Sequence, residues 1–194
     1  MLPKLIFASH NPNKTSEIAN LLDGTMLVQS LNDIGFTKEI IEDGLTLHEN
    51  AHIKSSTIYQ LTGLNCFADD TGLMVESLGG EPGVFSARYA GEEKDTSKNN
   101  QKLLSNLTNV ANRNAKFVTV ISLYLQGTEY FFEGILNGTI THQLIGEQGF
   151  GYDPLFMPIG SNRTLAQMSL DEKNKISHRK IAFKKMADFF LNLK

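Results

Sequence analysis

Residues 4–14 read KLIFASHNPNK, and the junction inside them decides the fold. Lys4-Leu5-Ile6-Phe7-Ala8 is apolar enough for a buried strand, whereas Ile18, Leu21 and Leu22 recur at the i, i+3, i+4 spacing of a helix face. The polar string between them, Ser9-His10-Asn11-Pro12-Asn13-Lys14, is therefore a strand-to-helix turn. Such a turn leaves the first helical N–H groups without partners at the positive end of the helix dipole, a setting that suits a phosphate. Taken alone, the residues fit a plainer reading better. Asn11 or Asn13 would cap the helix, Pro12 would sit in its first turn, and Lys14 would be a solvated charge. The string holds neither GxxxxGK[ST] nor GxGxxG, so other parts of the chain must decide.

Outward from the turn, residues 26–41 carry weaker strand signals, and Thr46-Leu47-His48-Glu49 has the form of a capping box. Leu47, Ala51, Ile58 and Leu61 recur on one face of the predicted helix, which Gly63 stops, and Lys54 lies seven residues after Leu47. The strand Leu64 to Ala68 is expected to end in Asp69-Asp70-Thr71-Gly72, with two carboxylates at its carboxyl end. Loops follow around GGEPG at 79–83, then a helix bearing Leu103, Leu104 and Leu107. Lys116 to Leu125 and Glu129 to Leu136 read as a hairpin across Gln126-Gly127-Thr128. Gly-Phe-Gly-Tyr-Asp-Pro at 149–154 makes a compact loop before the strand-like Leu155-Phe156-Met157. Ser169-Leu170-Asp171-Glu172 is a further capping box, and the last helix is expected to bury Ala182, Met186, Phe189 and Phe190. An antiparallel ribbon among strands that alternate with helices predicts an α/β fold with a mixed sheet, in one domain over 1–194.

Composition narrows the functions. A net charge of −3 gives no electrostatic footprint for DNA or RNA, so nucleic acid polymers are not expected partners. No apolar run approaches the roughly 20 residues of a membrane span, and the first strand begins too early to leave room for a signal peptide. A cytoplasmic protein is expected. The single cysteine, Cys66, excludes an internal disulfide and a cysteine-rich zinc site, and reads as a small buried hydrophobe.

Several groups are able to do chemistry. Asp69 and Asp70 stand at the strand edge where ligands of open α/β sheets bind, and alternation turns only one of them toward a ligand. Glu42-Asp43 precedes a helix, where acids commonly favour the positive helix end, yet a carboxylate from here could join the aspartates on a hard divalent cation. Ser177-His178-Arg179 opens the last helix, where an arginine opposes the dipole, and Lys173 comes five residues before His178. Together with Lys14 and Lys54 these are donors for phosphate or for a planar base. His10, His48, His52 and His142 have no metal-ligand spacing and read as surface or packing residues.

In this order, SHNPNKTSEI, EDGLTLHENAHIK, FADDTGLMVESLGGEPGVFSARYAG, GFGYDPLF and EKNKISHR closely resemble the Ham1 family of inosine and xanthosine triphosphate pyrophosphatases. The resemblance runs from Phe7 to about Arg179. It implies a long, strongly twisted mixed sheet flanked by helices, two lobes with a central cleft, and a homodimer. The implied reaction takes ITP, dITP and XTP to the monophosphate and pyrophosphate, which removes deaminated purines from the nucleotide pool.

By the same resemblance, Ser9, His10, Asn11, Pro12, Asn13 and Lys14 bind the triphosphate, with Lys54 as a further phosphate contact. Glu42 and Asp70 hold Mg²⁺, with Mn²⁺ as the alternative cation; Asp70 also accepts a proton from the attacking water, and Thr71 touches substrate. Phe150, Gly151, Tyr152 and Asp153 embrace the base, Phe150 by stacking, and Lys173, His178 and Arg179 complete the pocket. Ser9-His10 stands where many relatives carry Thr-Gly, which keeps the hydroxyl but gives up the freedom of glycine. Two alternatives stay open, a Maf-type pyrophosphatase for modified nucleotides and a nucleotide sensor without catalysis. GFGYDP and SHR weigh against the first, and a full set of acids and lysines against the second.

Overall fold

The computed structural model describes residues 4–10, 14, 15, 18, 22 and 25–193. Six strands form one mixed sheet in the order β2-β1-β3-β4-β5-β6. They are β1 (Lys4–Phe7), β2 (Leu27–Ser30), β3 (Cys66–Val75), β4 (Asn114–Leu125), β5 (Thr128–Ile140) and β6 (Phe156–Pro158). Strand β1 runs parallel to both β2 and β3, and β6 runs antiparallel to β5. The α-helices are α1 (Leu47–Thr62), α2 (Thr96–Asn106), α3 (Leu170–Ile176) and α4 (His178–Asn192), with helical backbone also at Lys14, Thr15 and Ile18. Among the described residues no helix is long and apolar enough to cross a membrane.

The chain divides into two compact units, one of Met1–Asp70, Thr119–Gly134 and Ile181–Lys194, the other of Thr71–Val118 and Ile135–Lys180. In the first, Leu5, Phe7 and Phe67 pack with Phe183 and Met186, while Ile6, Ala8, Cys66 and Ala68 pack with Leu31 and Ile58. Strand alternation thus buries both faces of β1 and of the start of β3, which is why those segments read as unbroken apolar runs. In the second unit Leu73, Val75, Leu103, Leu107, Phe117, Leu155 and Phe156 make a separate core.

Local signals account for the element ends. Thr46 and Glu49 close the expected capping box on α1, and Gly63 stops it in the left-handed region at φ 66°. Gln126 (φ 51°) and Gly127 (φ 86°) both take positive φ, the form of a two-residue hairpin turn whose twist matches its strands. Thr128 already belongs to β5.

Four expectations need correction. Asp69 and Asp70 lie inside a ten-residue strand rather than at its end, because Leu73 and Val75 beyond them are fully buried and pairing overrides a turn-like composition. Between residues 26 and 41 only Leu27–Ser30 is strand, since turns follow at once, with Phe36 N–H donating to Leu31 O. Leu61 is 64% exposed, one residue from the end of α1. Phe189 and Phe190 are only partly buried, near the end of α4.

Candidate functional site

In the first unit, charged side chains meet around the middle of β3. Asp69 and Asp70 alternate across the strand, so that Asp69 is buried and Asp70 half-buried. Helix α1 brings Lys54 in from one side, on its buried face one turn after Asn50 and Ala51. Lys54 Nζ donates to Glu42 Oε2 at 2.6 Å and stands 3.5 Å from Asp70 Oδ1. The loop carrying Glu42 is tied to the helix start, since Gly44 N–H donates to Asn50 Oδ1 at 2.8 Å. On the other face Lys14 Nζ lies 2.6 Å from Asp69 Oδ1 and 5.8 Å from the centroid of the Phe7 ring. Each aspartate therefore has its own lysine.

Burial sets the electrostatics. Desolvation pushes the Asp70 carboxyl above its usual range; Lys54 and Lys14 pull it back, and Glu42 and Asp69 add to the rise. Burial also pulls the Lys54 ammonium down, yet Asp70, Glu42 and Asp69 more than offset it, and the net shift is upward. The lysine is thus firmly charged, and the Asp70 carboxyl takes up a proton more readily than an ordinary aspartate. Two hard oxygen donors converging on one cation also suit Mg²⁺ or Mn²⁺, which take one or two carboxylates plus water and phosphate oxygens. Among the described residues no cluster of three or more His, Cys, Asp or Glu could form an all-protein cage. The pair fits a divalent cation shared with a substrate.

The strand-to-helix turn is described in part. Asn11, Pro12 and Asn13 lie outside the described residues, and Ser9 is half-buried with its N–H donating to Phe7 O. His10 is held by Lys38 O at 2.9 Å from Nε2 and by the Phe36 ring.

In the second unit, the loop at 149–153 wraps around Asp153. Its buried carboxylate accepts from Phe150 N–H at 3.0 Å and from the Lys173 ammonium. Gly149 (φ 81°) brings its backbone so close that an added Cβ would clash with Asp153 Oδ2. Phe150 stays 68% exposed, and Lys173 Nζ lies 4.8 Å from its ring centroid. Tyr152 is turned inward, its hydroxyl donating to Ser86 O at 2.8 Å. His178 stacks on Phe117 at 4.9 Å, and Arg179 is half-buried beside it in α4. Thr71 is half-buried in β3.

The structure thus brings Glu42, Lys54 and Asp70 together and gathers Phe150, Gly151, Tyr152, Asp153 and Lys173 in one loop cluster. Two residues were given no site role of their own by the sequence reading: Asp69, named there only as one of an acidic pair and here partnered by Lys14, and Asn100, whose Nδ2 donates to Gly151 O at 3.0 Å. Consecutive asparagines inside a helix were the available signal for the second, since asparagine is a poor helix former unless its side chain has work elsewhere.

Fold and site together define a mixed-sheet α/β protein in which lysines and carboxylates pair on a central strand and a glycine-rich loop presents one exposed aromatic ring. A model of the Ham1 family matches residues 5–189. The chain belongs to the Ham1 family. It is 49% identical to a dITP/XTP pyrophosphatase of Flavobacterium psychrophilum over 97% of this chain and 100% of the relative. It is also 49% identical to a dITP/XTP pyrophosphatase of Christiangramia forsetii, over 96% of this chain and 98% of that one. The structure of the Staphylococcus aureus Ham1 protein superposes with a TM-score of 0.93 at 36% identity, covering 98% of this chain and 100% of the other.

Proposed function

We propose that this protein hydrolyses noncanonical purine nucleoside triphosphates, namely ITP, dITP and XTP, to the monophosphate and pyrophosphate. The observation that carries the proposal is the ion cluster Glu42–Lys54–Asp70, joined on the other face of β3 by Lys14–Asp69. Full-length relatives named dITP/XTP pyrophosphatase support the same substrates.

The chemistry follows from the residues. Water adds to the α-phosphorus, the bond to the bridging oxygen breaks, and that oxygen leaves with pyrophosphate. Asp70 takes the proton of the attacking water. Lys14 and Lys54 place positive charge against the phosphates as negative charge shifts onto the leaving group. Ser9 to Asn13 complete the phosphate turn, and Thr71 contacts substrate. Glu42 and Asp70 would hold Mg²⁺, or Mn²⁺ in its place, which polarises phosphate oxygens and neutralises charge on them.

The base falls to Phe150, which stacks, with Gly151, Tyr152, Asp153, Lys173, His178 and Arg179 around it. Donors aimed at a 6-oxo group reject adenine, whose amino group would face them, and such hydrogen bonds discriminate by about 10⁴-fold. The family resemblance also supports a homodimer in the cytoplasm, which sedimentation and cell fractionation test.

The substrate proposal is tested with ITP, dITP, XTP, GTP and ATP under Mg²⁺, using wild type and Asp70→Asn. High kcat/KM on the first three, little on the last two and loss in the variant are expected. Tight ITP binding without product would make the protein a sensor instead.

A further inference from the structure

We propose that Asn100 is a positioning residue that fixes the base-recognition loop through the Gly151 carbonyl and thereby sets purine discrimination; this rests on the substrate reading above. Helix α2 carries two adjacent buried asparagines, each 5% exposed. Asn99 is used at both ends, accepting from Ala90 N–H at 2.6 Å and donating to Ala87 O at 3.0 Å. Asn100 is used at one end only. Its Nδ2 donates to Gly151 O at 3.0 Å, while its buried Oδ1 has no hydrogen-bond partner. Turning the amide over would set two acceptors against each other, so this orientation is the one that chemistry allows.

A buried acceptor without a partner destabilises a fold, and a leucine of the same branched shape would remove it. Asparagine at this place therefore serves the bond to Gly151 rather than the packing of α2. That bond falls on the peptide between Gly151 and Tyr152. Gly149 and Gly151 both take positive φ, at 81° and 63°, and glycine on one side lets that peptide rotate with little resistance. The other anchors hold different atoms: the Asp153 carboxylate takes Phe150 N–H, Asp153 N–H donates to Phe150 O at 3.2 Å, and the Tyr152 hydroxyl reaches Ser86 O. Among the described residues, the hydrogen bond from Asn100 is the one that holds the Gly151 carbonyl. Phe150 is the next residue back and 68% exposed, so the Gly151 anchor steadies the short turn that presents the ring on which a base would stack.

The test compares wild type, Asn100→Leu and Asn100→Asp by thermal midpoint, by kcat and KM on ITP and GTP, and by loop order. The chain has no tryptophan, so Phe150→Trp supplies a single indole fluorophore on the loop, read by acrylamide quenching with and without Asn100→Leu. Asn100→Leu is expected to keep or raise the midpoint, to raise KM for ITP about tenfold with kcat within about twofold, and to narrow the ITP-to-GTP ratio. That tenfold change equals one hydrogen bond of about 1.4 kcal/mol. Quenching of the indole in the Phe150→Trp background should rise with Asn100→Leu. Asn100→Asp, of equal size but lacking the donor, should match or exceed the kinetic defect. Unchanged KM and quenching in both variants would overturn the proposal, as would a loss of kcat that merely follows a fallen midpoint. If wild type hydrolyses no triphosphate the substrate reading fails by itself, and the quenching arm still decides whether Asn100 holds the loop.

Discussion

Lys54 Nζ lies 2.6 Å from Glu42 Oε2, so a lysine in the second turn of α1 is neutralised by an acid from the loop that leads into the same helix. With Asp70 at 3.5 Å, the ammonium bridges two carboxylates that would otherwise repel. Lys54→Met is expected to destabilise the protein by roughly 1–3 kcal/mol, below the usual value for a fully buried pair because Glu42 is partly solvated. Lys54→Met combined with Asp70→Asn should regain part of that loss, since asparagine removes the charge left behind. Urea midpoints of the single and double variants decide it; a double variant weaker than the lysine variant would contradict the bridging role.

Asp153 organises the aromatic loop from beneath. Asp153→Ala leaves the Lys173 ammonium unpaired in a mostly buried place, and should cost about 3 kcal/mol. Gly149→Ala meets both a positive φ and the Asp153 carboxylate, and should destabilise by more than about 1 kcal/mol. Thermal denaturation checks both, and a neutral Gly149→Ala would mean that the loop is held from elsewhere.

Arg163 and the Ser169 cap hold the carboxyl of Glu172 well down, to about 2 against an ordinary 4.5. A group depressed in the folded state contributes stability that is fully present above the unfolded value and lost as pH falls through the folded one. Wild type should therefore exceed Glu172→Gln in thermal midpoint by a constant margin above pH about 5, a margin that shrinks between about 4.5 and 2. A margin independent of pH down to about 2 would contradict the assignment.

Burial pushes the Cys66 thiol up to about 12, and its Sγ donates to Ser55 O at 3.2 Å. Thiolate is the reactive form, so the native protein should react with a disulfide reagent at pH 8 at least about a hundredfold more slowly than the unfolded chain. Rapid native labelling, followed by absorbance of the released thiolate, would contradict it.

Much of the fold was legible because its signals are local. The capping boxes at Thr46 and Ser169, the stop at Gly63 and the hairpin turn at Gly127 each fix an element end by short-range chemistry. Asp69-Asp70-Thr71-Gly72 was read as the end of its strand because the burial that carries the strand on comes from residues distant in sequence. The acids and lysines of the site stood out by type and motif. Their pairing did not, since which carboxylate meets Lys54 depends on how β3 and α1 pack. Asn100 shows the same limit, because its partner is 51 residues away.

Phosphorus-31 NMR of ITP incubated with the protein and Mg²⁺ tests the central claim most directly. Inosine monophosphate and pyrophosphate in equal amounts, with no diphosphate intermediate and with loss of turnover in Asp70→Asn, are the expected result. Inosine diphosphate with inorganic phosphate would place the cut at the terminal phosphate and contradict it.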